Sequence, residues 1–217
     1  SSSSAASDVY KRQALDKVER SLIRNWHNHK ARQLKASILR KLNRKEEALE
    51  LIRESLKIDR FNMGCRFEHY LLTEDQNLLA EMTGLMRRWE HTFIEYALDF
   101  GGAGLYDEAI LFLESYLSET RKVYPMIYYA LGYFHACRGE KAHALDYYRK
   151  AEKEDHSYCF PNRIEEVLIL QNALELNDRA AKAAYSLGNF WYAARQYDRA
   201  IECWETSAAI CPDFPTV

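Results

Sequence analysis

The chain has 217 residues at 25.5 kDa, 47% of them hydrophobic and 29% charged, which fits one ordinary domain or a short repeat array and argues against wholesale disorder. Only 8 Gly and 4 Pro punctuate it, too few for the frequent turns of a β-sandwich or barrel, so an all-β fold is excluded. The net charge of -2 hides an asymmetry: residues 1–60 hold 15 basic and 8 acidic side chains, and the remainder 15 and 24.

Taken in chain order, residues 1–13 have no starting Met and no hydrophobic period; they resemble translated adapter sequence and are set apart as a non-native tail. Ala14, Val18 and Ser21 then predict half a helical hairpin over 14–28. Between Arg20 and Lys45 lie nine basic residues and no acid, which reads either as a surface for an acidic partner or nucleic acid, or as a solvated helical face complementing the acidic C-terminal half; the second is preferred. Further on, Tyr106-Asp107-Glu108-Ala109-Ile110 is echoed by Tyr197-Asp198-Arg199-Ala200-Ile201, and Leu131-Gly132-Tyr133-Phe134 by Leu187-Gly188-Asn189-Phe190. An alanine recurs at 14, 48, 109, 144 and 200, with gaps of 34, 61, 35 and 56. The gaps predict helical hairpins over 29–62, 63–89 (shortened, with Thr73 and Gln76 as a capping box), 90–124, 125–158 and 181–214. The excess in the last gap predicts one extra helix over 161–178, with an apolar face through Ile164, Val167, Leu168 and Leu174.

In the last hairpin Leu187, Gly188, Trp191, Ala200, Trp204 and Pro212 fall at positions 7, 8, 11, 20, 24 and 32 of a 34-residue unit, and Tyr128, Leu131, Gly132, Ala144, Tyr148 and Ala151 keep the same frame from Pro125. This pattern resembles the tetratricopeptide repeat. The hairpin from His29 fits less well, because Arg32 and Lys35 stand where apolar residues belong and suggest a register error of one. The resemblance implies an all-α, right-handed superhelical solenoid of antiparallel hairpins over 14–217. It further implies a non-enzymatic scaffold that binds a peptide, a partner protein or another domain of the same chain.

The same resemblance places first-helix positions 2, 5, 9, 12 and 13 on a concave groove. Those slots hold Met126, Tyr129, Tyr133, Ala136 and Cys137 in one repeat and Lys182, Tyr185, Asn189, Tyr192 and Ala193 in the last. Tyr129, Tyr133, Tyr185, Asn189 and Tyr192 are therefore the candidate partner-binding set, unless the extra helix covers them. The basic slots of a carboxylate-gripping repeat are missing, since Gln33, Ser37, Glu95 and Ala130 stand there. A second resemblance, centred on Cys159 to Glu166, is to the helical tail of a bacterial multidomain protein with an upstream β-rich, carbohydrate-related domain.

Catalytic and cofactor chemistry finds no foothold in the sequence. The pairs His27/His29 and His156/Cys159 lack further metal ligands, and His135 sits in a core slot. Gly101-Gly102-Ala103-Gly104 has neither a preceding strand nor a following Lys-Ser/Thr, and reads as a turn between helices. No metal or cofactor is expected. Five cysteines without a CxxC pair point to reduced thiols and a cytoplasmic location, and no stretch reaches the roughly 20 apolar residues of a membrane span.

Overall fold

A computed structural model describes residues 2–117 and 122–214, with side chains from residue 8 onward. Residue 1 of the expected tail, residues 118–121 of the expected repeat 90–124, and residues 215–217 lie outside the described residues. Twelve α-helices, and no strand, occur among the described residues: α1 (Ser2–Arg24), α2 (His29–Lys41), α3 (Lys45–Ile58), α4 (Met63–Thr73), α5 (Gln76–Leu85), α6 (Glu90–Gly102), α7 (Tyr106–Leu117), α8 (Pro125–Cys137), α9 (Lys141–Ala151), α10 (Ile164–Leu176), α11 (Ala181–Ala193) and α12 (Tyr197–Ile210). The chain is all-α. Helix α1 runs through residues 2–13, which the sequence left outside the fold. Packing divides the chain into two compact units, Ser1–Arg88 and Trp89–Val217.

In the first unit α2 packs against α1, α3 and α4, and α4 against α5. Their shared core is built from Leu15, Val18, Leu22, Ala36, Leu39, Ala48 and Ile52. Arg32 is a member of this core and not a sign of shifted register. It is fully buried; its Nε donates to Ser55 Oγ at 2.7 Å, its Nη2 reaches Glu54 at 3.3 Å, and its guanidinium lies 4.3 Å from the Trp26 ring centre. A buried cation survives only with such partners. Other basic residues of the window are paired with nearby acids: Arg20 with Asp16, Lys35 with Glu19, Arg40 with Glu68, Arg44 with Glu47. The expected capping box of Thr73 and Gln76 is replaced. Asp75 caps α5 through the Asn77 N–H, while Thr73 ends α4 and donates its hydroxyl back to His69 O.

Four hairpins turn in one way. Asn43, Gly104, Gly139 and Arg195 each take a left-handed φ, of 58°, 74°, 81° and 60°. The next residue then donates its N–H across the turn to the helix before it: Arg44 to Leu39 O, Leu105 to Phe100 O, Glu140 to His135 O, and Gln196 to Trp191 O. This is the six-residue closure of a Schellman motif, and it lets the second helix begin at once.

In the second unit hairpins α6–α7, α8–α9 and α11–α12 pack internally through small residues. A Cβ added to Gly132 would lie 2.3 Å from the Tyr148 ring and 3.0 Å from the Ala144 carbonyl; at Gly188 it would lie 2.4 Å from Trp204 and 3.1 Å from the Ala200 carbonyl. Glycine thus sets the spacing of both hairpins, with Ala144 and Ala200 fully buried opposite. Helix α10 is single. It packs on α8, α9 and α11, and its Asn172 Oδ1 accepts the Tyr148 hydroxyl at 2.6 Å. Its buried face is Val167, Ile169, Leu170 and Ala173; Ile164 and Leu168, expected to pack inward, are 64% and 55% exposed.

Candidate functional site

Exposure along α8 rises toward its C-terminal end. Met126 and Tyr129 are fully buried, Tyr133 and Ala136 are partly exposed, and Cys137 is exposed. Along α11 the order repeats, from partly exposed Lys182, Tyr185 and Asn189 to exposed Tyr192 and Ala193. On α8 the expected groove positions nearest the helix start, Met126 and Tyr129, are therefore inaccessible.

Tyr129 has to leave the candidate set. Its hydroxyl donates to Glu152 Oε1 at 2.6 Å and lies 3.3 Å from His156 Nε2. The same carboxylate accepts the backbone N–H groups of Lys182 at 2.9 Å and Ala183 at 3.0 Å. Helix α11 has Ala180 at its N-cap and no side-chain cap of its own, so Glu152 supplies from the end of α9 the acceptor that a helix start needs. Lys182 Nζ adds a bond to Glu154 O. Burial raises the Tyr129 hydroxyl well above its usual pKa, and the facing Glu152 adds to it; burial likewise raises the Glu152 carboxyl, opposed by the bonds it accepts. His156, buried with Nδ1 3.1 Å from Glu154 O, has its pKa pushed down to about 4 by desolvation. These side chains form the joint between two hairpins, and no partner reaches Tyr129 while the joint is closed.

The other four candidates lie in different neighbourhoods. Tyr133 neighbours Tyr106 and Cys137, and burial foremost raises its pKa. Tyr185 meets the Phe214 ring edge-on at 5.4 Å, with Lys182 over the same ring. Tyr192, 57% exposed, sits 5.5 Å from Tyr197 and 5.7 Å from Trp204. Tyr197, which opens the second copy of the repeated motif, is 53% exposed, and Ile201 one turn on is 50% exposed. Beside them Arg199 covers the Trp191 ring at 4.7 Å. Tyr192, Tyr197, Ile201 and Trp204 thus make one aromatic surface on the last hairpin. The signal for its second half was the spacing 197, 201, 204 along one helical face.

Family models described as "Tetratricopeptide repeat" match residues 29–62 and residues 169–213. These two segments read as tetratricopeptide repeats. No curated protein matches it. Among solved structures it is similar to YrrB, described as a TPR protein with an unusual peptide-binding site, at 16% identity over 91% of this chain and 93% of that one, with a TM-score of 0.27. It is also similar to TTC0263, a thermophilic TPR protein of Thermus thermophilus, at 21% identity over 80% and 90%, TM-score 0.36, and to Pseudomonas aeruginosa pilF at 16% over 92% and 77%, TM-score 0.31. At such scores these structures carry no argument, and the likeness to the family rests on the two matched segments. Tetratricopeptide repeats are in general scaffolds for protein interaction, and among the described residues no helix is long and apolar enough to cross a membrane.

Proposed function

We propose that this chain is a non-catalytic scaffold whose tetratricopeptide repeats hold an extended peptide or a partner domain, with the last hairpin as the principal contact. The observation that carries the reading is the aromatic surface of Tyr192, Tyr197, Ile201 and Trp204. Tyrosine and tryptophan in partly exposed clusters bring large contact areas at small entropic cost, the property that marks the strongest contacts of interfaces. Asn189, one turn before Tyr192 on α11, offers both a donor and an acceptor to a bound backbone. Tyr133 and Tyr185 extend the contact along α8 and α11, while Tyr129 serves the fold alone.

A peptide library displayed on phage and selected against the whole chain tests this. An enriched peptide should lose at least tenfold in affinity to Tyr192→Ala and Tyr197→Ala, about 1.4 kcal/mol or more, with far-UV circular dichroism unchanged. Failure to enrich any peptide, or equal binding by both variants, would reject the reading.

A further inference from the structure

The turn between α8 and α9 gathers three side chains with metal-ligand chemistry. His135 lies in the last turn of α8, Glu140 stands at the N-cap of α9, and His143 lies in its first turn. The turn itself brings them together, because the left-handed Gly139 and the Glu140 N–H bonded to His135 O reverse the chain within a few residues. His135 Nδ1 lies 2.6 Å from Glu140 Oε2, and His143 Nδ1 lies 3.7 Å from that same oxygen. One ligand atom from each residue can be chosen so that all lie within 4.8 Å of one another. The two imidazoles meet edge to face at 68°, with ring centres 5.4 Å apart, so their nitrogens approach from different directions.

The surroundings favour a fixed site over a loose cluster. His135 is buried and stacked on Tyr147, with ring centres 5.2 Å apart and planes 19° from parallel, which holds its ring. Arg138 Nη2 binds the other Glu140 oxygen at 2.8 Å and its Nε reaches Asp107 at 3.1 Å, leaving Oε2 to the histidines. His143, with 68% of its side chain exposed, keeps the third side open to solvent and free to rotate.

We propose that His135 Nδ1, Glu140 Oε2 and His143 Nδ1 bind one Zn2+ ion that clips the α8–α9 turn, with water in the fourth position. Two imidazole nitrogens and one carboxylate oxygen are a donor set that zinc takes at about 2.0–2.2 Å in tetrahedral geometry. Donors in such a tetrahedron stand about 3.3 Å apart, so His135 and Glu140 separate by some tenths of an ångström while His143 swings inward. Binding through Nδ1 leaves the one proton of the neutral His135 ring on Nε2. Calcium and magnesium, which prefer all-oxygen sites, are not held. His135 Nε2 is buried and has no hydrogen-bond partner among the described residues. The outer acceptor that usually strengthens a zinc-bound histidine is thus missing, which weakens the site by about 10–100-fold relative to one that has it.

Titration calorimetry of the whole chain with zinc chloride tests this. The expected result is one site that is absent with magnesium chloride. His143→Ala, an exposed position that leaves the helices intact by circular dichroism, should weaken zinc at least about tenfold, and Glu140→Gln should do the same. A double His27→Ala, His29→Ala variant should bind as the parent does. Zinc affinity unchanged in His143→Ala and Glu140→Gln, loss of the site in the double variant instead, or no binding at millimolar zinc would each overturn the proposal.

Discussion

Replacing Gly132 or Gly188 by alanine inserts the same methyl group at the same repeat position, yet the neighbours predict different results. At Gly132 the new Cβ meets the Tyr148 ring at 2.3 and 2.6 Å. Tyr148 is fully buried and tied to Asn172, so it has nowhere to move. Overpacking of this kind costs about 1–3 kcal/mol, loss of the tyrosine hydrogen bond adds about 1, and the better helix propensity of alanine offsets about 1. Gly132→Ala should therefore destabilise the second unit by about 2 kcal/mol. At Gly188 the obstacle is Trp204 at 2.4 and 2.5 Å; its Nε1 is buried but makes no hydrogen bond among the described residues, and the residue as a whole is partly exposed. The indole can swing outward, the propensity gain balances the remaining strain, and the net change should be within about 1 kcal/mol of zero. Urea unfolding followed by circular dichroism measures both in the same unit, through the midpoint at constant slope. A Gly188→Ala loss equal to or larger than that of Gly132→Ala would refute the reasoning, since exposure of the neighbour would then decide nothing.

Two further predictions concern the joint around Glu152. Glu152→Ala strands the Tyr129 hydroxyl and two backbone N–H groups at the start of α11, and should cost about 3 kcal/mol in the same urea assay, against about 1 for Tyr129→Phe; equal losses would show that the helix cap contributes nothing. His156 has a folded-state pKa near 4 against 6.5 for a free imidazole, so the unfolded chain takes up the proton first. Its stabilisation is complete above about pH 6.5 and is lost as the pH falls toward 4, by at most about 3 kcal/mol. Because the raised Glu152 carboxyl acts in the opposite sense in acid, the measurement is the difference between the parent and His156→Gln at each pH; parallel curves would exclude the histidine as the cause.

The hairpins were legible because their small residues repeat: Ala48, Ala109, Ala144 and Ala200 each follow the left-handed turn residue by five positions, and steric need keeps them small. What pattern reading missed is chemistry that crosses between helices. Arg32 looked misplaced because a hydropathy slot takes no account of Ser55 and Glu54, which lie on the next helix and satisfy it. The basic window holds no acid because its partners Glu54 and Glu68 lie farther along the chain. Tyr129 shared a repeat position with Tyr185, and what separates them is a carboxylate 23 residues away together with the buried His156. Tyr197 lies in a motif whose other copy, Tyr106, is only partly exposed, and its own exposure is a property of the last hairpin.

The cap that Glu152 places on α11 bears on how far one repeat can be treated as a module. Cut at Ala181, the last hairpin would begin with bare N–H groups and no side chain to receive them, and moved into another scaffold it would need a replacement acceptor at the same point in space. The smallest transplantable piece therefore begins with α9, which carries Glu152 at its end, and it brings α10 along. In an array of near-identical units the boundary of inheritance and the boundary of self-sufficiency need not coincide, and here they differ by one carboxylate.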